Sequence, residues 1–143
     1  MVLLSSTTDT GAGTNTSTGI RARALNENVP VIFELNVTAA ATAAGDTLNV
    51  YVQASPDNGT TWGDVVSFTQ VLGNGGAKVF FARVSLIVTP TVSTAIAPTD
   101  GTLAAGTVNQ GPAGSLWRVK RVLVQASAAS FTFSVLANGL KRH

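Results

Sequence analysis

The sequence predicts an all-β protein, an antiparallel β-sandwich of jelly-roll-like type built from seven to eight strands. Two observations carry that expectation. Apolar and polar residues alternate with period two through several short segments, and these segments are separated by turns rich in Gly, Asn and Pro. No apolar repeat of helical period persists for ten residues anywhere in the chain.

The elements follow in order. From Ser5 to Gly19 the chain holds only Ser, Thr, Gly, Asn and Asp apart from Ala12, so residues 1–19 read as a flexible arm that has no core of its own and that a neighbouring subunit could order. Residues 20–143 read as one β-sandwich domain. Ile20, Ala22 and Ala24 alternate with Arg21 and Arg23. The clearest strand follows, with Val29, Val31, Phe33, Leu35 and Val37 on one face and Glu34, Asn36 and Thr38 on the other. Leu48, Val50, Val52 and Ala54 repeat the pattern against Asn49, Tyr51 and Gln53. The run Ser55-Pro56-Asp57-Asn58-Gly59-Thr60-Thr61-Trp62 then reverses the chain. Pro56 fixes its own φ, Asp57 and Asn58 can bond nearby amides, and Gly59 permits positive φ. A return strand from about 62 to 71 carries Val66 and Phe68 inward, and Leu72-Gly73-Asn74-Gly75-Gly76 reverses the chain again.

Residues 77–89 are apolar on both faces (Val79, Phe81 and Ile87 against Phe80, Val84 and Leu86), which fits a central strand or one covered by a partner. Residues 89–114 form a long Thr-, Ala-, Pro- and Gly-rich loop, an unusual length inside a compact domain. It retains Val92, Ile96, Leu103 and Val108, and so reads as a partly ordered excursion that contacts something, with Ile96 and Leu103 as candidate partner contacts. Strands at about 115–127 and 130–138 close the chain.

Composition narrows the function classes. Only 11% of the residues are charged, against about 25% in an average soluble domain; a surface so poor in charge suits permanent assembly, because interface cores are depleted in charge. The 143 residues contain no cysteine, so neither a disulfide nor a thiolate metal site is available. Met1-Val2-Leu3-Leu4 lacks a basic region and is too short for a signal peptide, and no segment approaches the ~20 apolar residues of a membrane span, so cytoplasmic assembly without a membrane partner is expected. Residues 1–72 carry two cations against six carboxylates and residues 73–143 seven against one. Such halves can meet as complementary faces of a repeating contact or interleave within one fold.

Catalytic constellations are sparse. The sole histidine is the last residue, His143, which leaves a Ser-His-Asp triad without an oriented base. Asp57 with Asp64, or Glu34 with Asp46, could supply paired carboxylates for glycoside hydrolysis, yet each reads more simply as a turn or solvated strand residue. Gly73-Asn74-Gly75-Gly76-Ala77-Lys78 lacks the Ser/Thr and the helix of a phosphate-binding loop. No clustered ligand series for a metal occurs. Arg118, Lys120 and Arg121 surround Trp117 in a strand, a pattern that can serve a nucleic-acid backbone. On a chain of net charge +2 they read as contacts to an acidic protein surface. An enzyme, a cofactor, a small-molecule ligand and a nucleic-acid partner are therefore not expected, and the sequons at Asn15, Asn36 and Asn58 carry no weight without export.

Two resemblances add to this reading. Ser55-Pro56-Asp57-Asn58-Gly59-Thr60-Thr61-Trp62 resembles the Asp-box hairpin of sialidase-like propellers and other β-domains. There the box is a structural staple; the resemblance implies that Ser55, Asp57, Gly59, Thr61 and Trp62 form a turn, with Trp62 packed over it. One copy in a chain with room for about two blades does not make a propeller. The longer stretch from Leu48 through Tyr51-Val52-Gln53-Ala54-Ser55 and Trp62-Gly63-Asp64 to Phe68-Thr69-Gln70-Val71 is similar to small virion proteins of tailed bacteriophages, with Asn58 where those carry glycine. That resemblance implies a capsid decoration or cement protein on the virion surface, partnered by the major capsid protein and by copies of itself. A tail or head-to-tail connector component and a carbohydrate-binding β-sandwich, for which Tyr51, Trp62 and Trp117 are the candidate aromatics, remain the alternatives.

Overall fold

The structure is a computed structural model that describes residues 1–22, 25, 30–40, 42–85, 97–109 and 114–139. Those residues form eleven strands: β1 (Val2–Thr10), β2 (Gly13–Thr16), β3 (Ile20–Arg21), β4 (Val31–Ala40), β5 (Thr47–Ser55), β6 (Gly63–Ser67), β7 (Val71–Leu72), β8 (Lys78–Val84), β9 (Thr107–Val108), β10 (Leu116–Val124) and β11 (Ser130–Gly139). The protein is all-β, and every pairing is antiparallel.

One sheet has the order β1-β11-β4-β8 and the other β2-β10-β5-β6-β9. In the second sheet β3 continues the line of β2 along β10, and β7 continues the line of β6 along β5. The pairings nest: β1 with β11, β2 with β10, β4 with β8, and β5 with β6. The turn Ser55–Trp62 therefore stands at the apex of the whole winding.

Period-two alternation decides what lies between the sheets. Val31, Phe33, Leu35 and Val37 of β4, Leu48, Val50, Val52 and Ala54 of β5, Val119 and Leu123 of β10, and Phe131, Phe133, Val135 and Ala137 of β11 are all buried. Trp117 stacks on Phe33 with ring centroids 5.8 Å apart and planes at 30°, an offset geometry favoured by the ring quadrupoles. Fully burying each large side chain contributes about 1.5–3 kcal/mol, so this shared layer dominates the stability of the sandwich.

Two expectations are corrected. Residues 1–19 are not a loose arm: β1 pairs with β11 across Val2 to Thr10, and β2 pairs with β10. A strand needs no apolar residues for its ladder bonds, and Thr and Ser tolerate extended backbone well; Leu3 supplies the one deep apolar anchor of this segment, at 2% exposure. The segment after residue 76 is not central. β8 is the last strand of its sheet, with Val79 and Phe81 on its open face. The described part of the long loop is ordered against the chain's own second sheet, where β9 pairs with β6 and residues 97–109 lie along its outer face. Ala24, Val29, Leu86, Ile87, Val92, Ile96 and His143 lie outside the described residues.

Candidate functional site

The apex turn is built from short polar reaches. Ser55 Oγ donates to Asp57 Oδ1 at 2.8 Å and accepts from the Gly59 amide at 2.7 Å. The Thr61 amide donates to Asp57 Oδ1 at 2.7 Å. Asn58 and Gly59 take positive φ, 60° and 96°, which glycine adopts freely and asparagine more readily than most residues. The Asp57 carboxyl is held at about 2, first by the Thr61 backbone amide and then by the Thr61 and Ser55 side chains. Trp62 lies over the turn, its Nε1 donating to the Gly59 carbonyl at 3.0 Å, and Gly19 approaches so closely that an added Cβ would lie 3.1 Å from the indole. The Arg118 guanidinium lies over that ring, 4.2 Å from the centroid. Arg21 of β3 donates to Asn58 Oδ1 at 2.7 Å. Ser55, Asp57, Gly59, Thr61 and Trp62 thus come together in one closed unit.

Beside the apex, β5 presents Tyr51, Gln53 and Ser55 outward, and all three are buried. Over Gln53 the covering segment is 97–109, where Asp100 accepts from its side chain. Asp64 of β6 accepts the amides of Gly101 (2.9 Å), Thr102 (3.1 Å) and Leu103 (3.1 Å) in its carboxylate. Consecutive backbone N–H groups converging on one anion form a nest, and positive φ at Gly101 (76°) shapes it. Gln53 Nε2 donates to Asp64 Oδ1 at 2.8 Å and to Asp100 Oδ1 at 2.7 Å, while Arg118 Nε donates to Gln53 Oε1 at 2.8 Å. Lys120 reaches Asp100 at 2.9 Å. Asp100 is lowered, first by the Lys120 hydrogen bond and next by Gln53. Burial raises Tyr51, with the Asp64 charge adding to it, and burial lowers Arg118 while Asp100 and Asp64 oppose that shift.

Two further carboxylates tie separate elements together. Asp9 of β1 and Arg121 of β10 form a buried fork, with Nε to Oδ2 at 2.7 Å and Nη2 to Oδ1 at 3.2 Å, bolting the edge of one sheet to the other. At the end of the sandwich away from the apex, Asp46 accepts the amides of Ala126 (2.7 Å), Ser127 (2.9 Å) and Ala43 (3.3 Å). These hold its carboxyl at about 2, the Ser127 amide contributing most, against burial that opposes the shift.

The candidate residues therefore fall into different places. Arg118 and Lys120 face outward from β10 and are engaged by Gln53, Trp62 and Asp100. Arg121 is not a surface contact as expected from its basic neighbours, since it shares the inward parity of Trp117, Val119 and Leu123 and is buried against Asp9. Leu103 offers its amide to Asp64 and is half-buried. Asp57 and Asp64 each hold backbone amides, and Asp46, in the turn before β5 and bonded to the 126–127 amides, forms no pair with Glu34 on β4. Gln53, Asp100 and Asp9 were not singled out by the sequence. Parity alone marks Gln53 and Arg121, and Asp100-Gly101 is a turn signal, but nothing local names their partners.

The remaining exposed feature is the outer face of the first sheet. Phe81 is 69% exposed, Val79 49% and Val2 51%, with half-buried Ile32 and Leu136 beside them. Among the described residues no group of three or more His, Cys, Asp or Glu side chains could hold a metal ion, and no helix is long and apolar enough to cross a membrane. Comparison of the chain with protein families, with curated proteins and with solved structures found no match.

Proposed function

We propose that this protein is a structural component of a virion, a capsid decoration or cement protein that binds across major capsid protein subunits and braces the head. The observation that carries the reading is the use of its described aspartates. Asp9, Asp46, Asp57, Asp64 and Asp100 each hold a backbone amide, a glutamine or a cation of the same chain. Groups spent in this way stiffen a scaffold. They leave recognition to shape and to exposed apolar surface.

The winding supports the same reading. If β2 with β3 and β6 with β7 are each counted as one strand, the nested pairs give eight strands in two sheets of four beside the short β9. That arrangement fits a jelly roll, an architecture that viral capsid and lectin domains use. The stretch Leu48–Val71 that resembles virion proteins coincides with β5, the apex turn, β6 and the start of β7, so the likeness falls on one structural unit. Against the carbohydrate-binding alternative, Trp117 is buried, Tyr51 is 7% exposed and Trp62 is capped by Arg118. The aromatics that would stack on sugar rings are already covered.

Sedimentation of the purified chain with expanded phage heads lacking it tests the proposal. Saturable co-sedimentation, with heads surviving heat or osmotic shock that empties undecorated ones, is expected. A chain that stays in the supernatant at every concentration and is retained on glycan resins would overturn it.

A further inference from the structure

Among the described residues, the outer face of the sheet β1-β11-β4-β8 carries two unspent charges. Among the described residues Glu34 on β4 and Arg83 on β8 enter no hydrogen bond or ion pair, whereas the described aspartates are all engaged. The register places Glu34 opposite Phe81 and Ile32 opposite Arg83. Glu34 and Arg83 are thus diagonal neighbours on adjacent strands, flanked by Phe81 and Ile32 and continued by Leu136 and Val2 across the sheet. An acid, a base and a 69% exposed phenylalanine lie within one small patch.

From this arrangement we infer that the face binds a second copy of this chain in an isologous, two-fold pair. Strands are about 4.8 Å apart and rise about 3.4 Å per residue. Glu34 and Arg83 are therefore offset by one strand and two residues, roughly 8 Å along a diagonal. A two-fold axis lying between two such faces that brings Glu34 onto Arg83 of the partner necessarily brings Arg83 onto the partner's Glu34. On the same spacings that axis passes within a few Å of Phe81 and sets the two Phe81 rings against each other. One operation thus satisfies both charges twice and covers the most exposed aromatic ring. The sheet face measures roughly 19 by 24 Å from four strands and seven residues, so a pair covers about 900 Å² in total, in the range of weak, transient contacts. A reversible dimer results, favoured by high local concentration. The inference deepens the proposed function, in which copies contact one another on a head, but it needs no capsid for its test.

Charge-swapped variants provide that test. Sedimentation equilibrium of the wild-type chain across a hundredfold concentration range should move from the monomer to the dimer mass. Glu34→Arg alone and Arg83→Glu alone should each weaken association at least tenfold. Mixing the two single variants should restore it, since each then offers the charges that the other lacks, and the double variant Glu34→Arg/Arg83→Glu should associate by itself. Should circular dichroism show either swap unfolded, Glu34→Gln and Arg83→Gln, with Phe81→Ser, replace them and should weaken association without rescue by mixing. A wild-type chain that remains monomeric throughout, or single variants that dimerise as tightly as wild type, would overturn the inference. Those outcomes leave capsid co-sedimentation unchanged, so the failure of this dimer and the failure of the decoration reading are distinguishable.

Discussion

Asp64→Ala should release the segment 97–109 from the outer face of β5 and β6. In the folded protein the Asp64 carboxylate, at 1% exposure, accepts three consecutive amides and the Gln53 side chain. Hydrogen bonds to a charged group contribute about 1.5–3 kcal/mol each, so four of them would give a large sum if all stayed buried and unpaired. They do not, because the segment can swing into water and recover its amide bonds there. The loss is then limited to roughly 3 kcal/mol, about the worth of one or two such bonds. Urea unfolding measures the total. Hydrogen exchange at the amides of Gly101, Thr102 and Leu103 locates it, and their protection should fall to that of an open loop while β4 and β11 stay protected. Asp64→Asn keeps one acceptor oxygen and should fall between wild type and alanine. A variant with unchanged midpoint and unchanged exchange at 101–103 would refute the role given to this carboxylate.

Other consequences follow from the same side chains. Asp9→Ala leaves Arg121 buried without its counter-charge and should destabilise by about 3–5 kcal/mol, whereas the double variant Asp9→Leu/Arg121→Met should recover most of that loss in a urea titration. Asp46 and Asp57 are both lowered from 3.8 to about 2 in the folded chain; their contribution is complete above the unfolded value and is lost as pH falls from about 4 toward 2. Thermal midpoints should therefore drop steeply across that window, more gently in Asp46→Asn, and a flat profile there would contradict the amide contacts. Gly73→Ala would place a Cβ 2.2 Å from the Ala43 carbonyl oxygen and should lower stability by about 1–3 kcal/mol as the backbone shifts, read as a fall in thermal midpoint.

The parts of the fold that the sequence displays are those where one face is dry and the other wet. Val31 to Val37 and Phe131 to Ala137 alternate because β4 and β11 meet the core on one side only. β5 hides half of its environment. Gln53 looks like part of a solvated face until residues 97–109, some forty positions later, fold back over it. The first nineteen residues read as a loose arm for a different reason: a ladder of main-chain bonds leaves no hydrophobic trace in the sequence. The apex turn was the most legible site, since Pro56, Asp57, Asn58 and Gly59 act locally. The ties of Asp9 to Arg121 and of Asp64 to the amides of 101–103 depend on chain-distant geometry, which spacing along the sequence does not encode.

The proposed place of this protein on a capsid is tested most directly by a cryo-electron microscopy map of the purified virion. The account predicts a two-sheet density of this shape seated on the outer surface of the head and bridging neighbouring capsid subunits. Density of that shape confined to the tail, or a head surface without it in particles that contain the chain, would contradict the account.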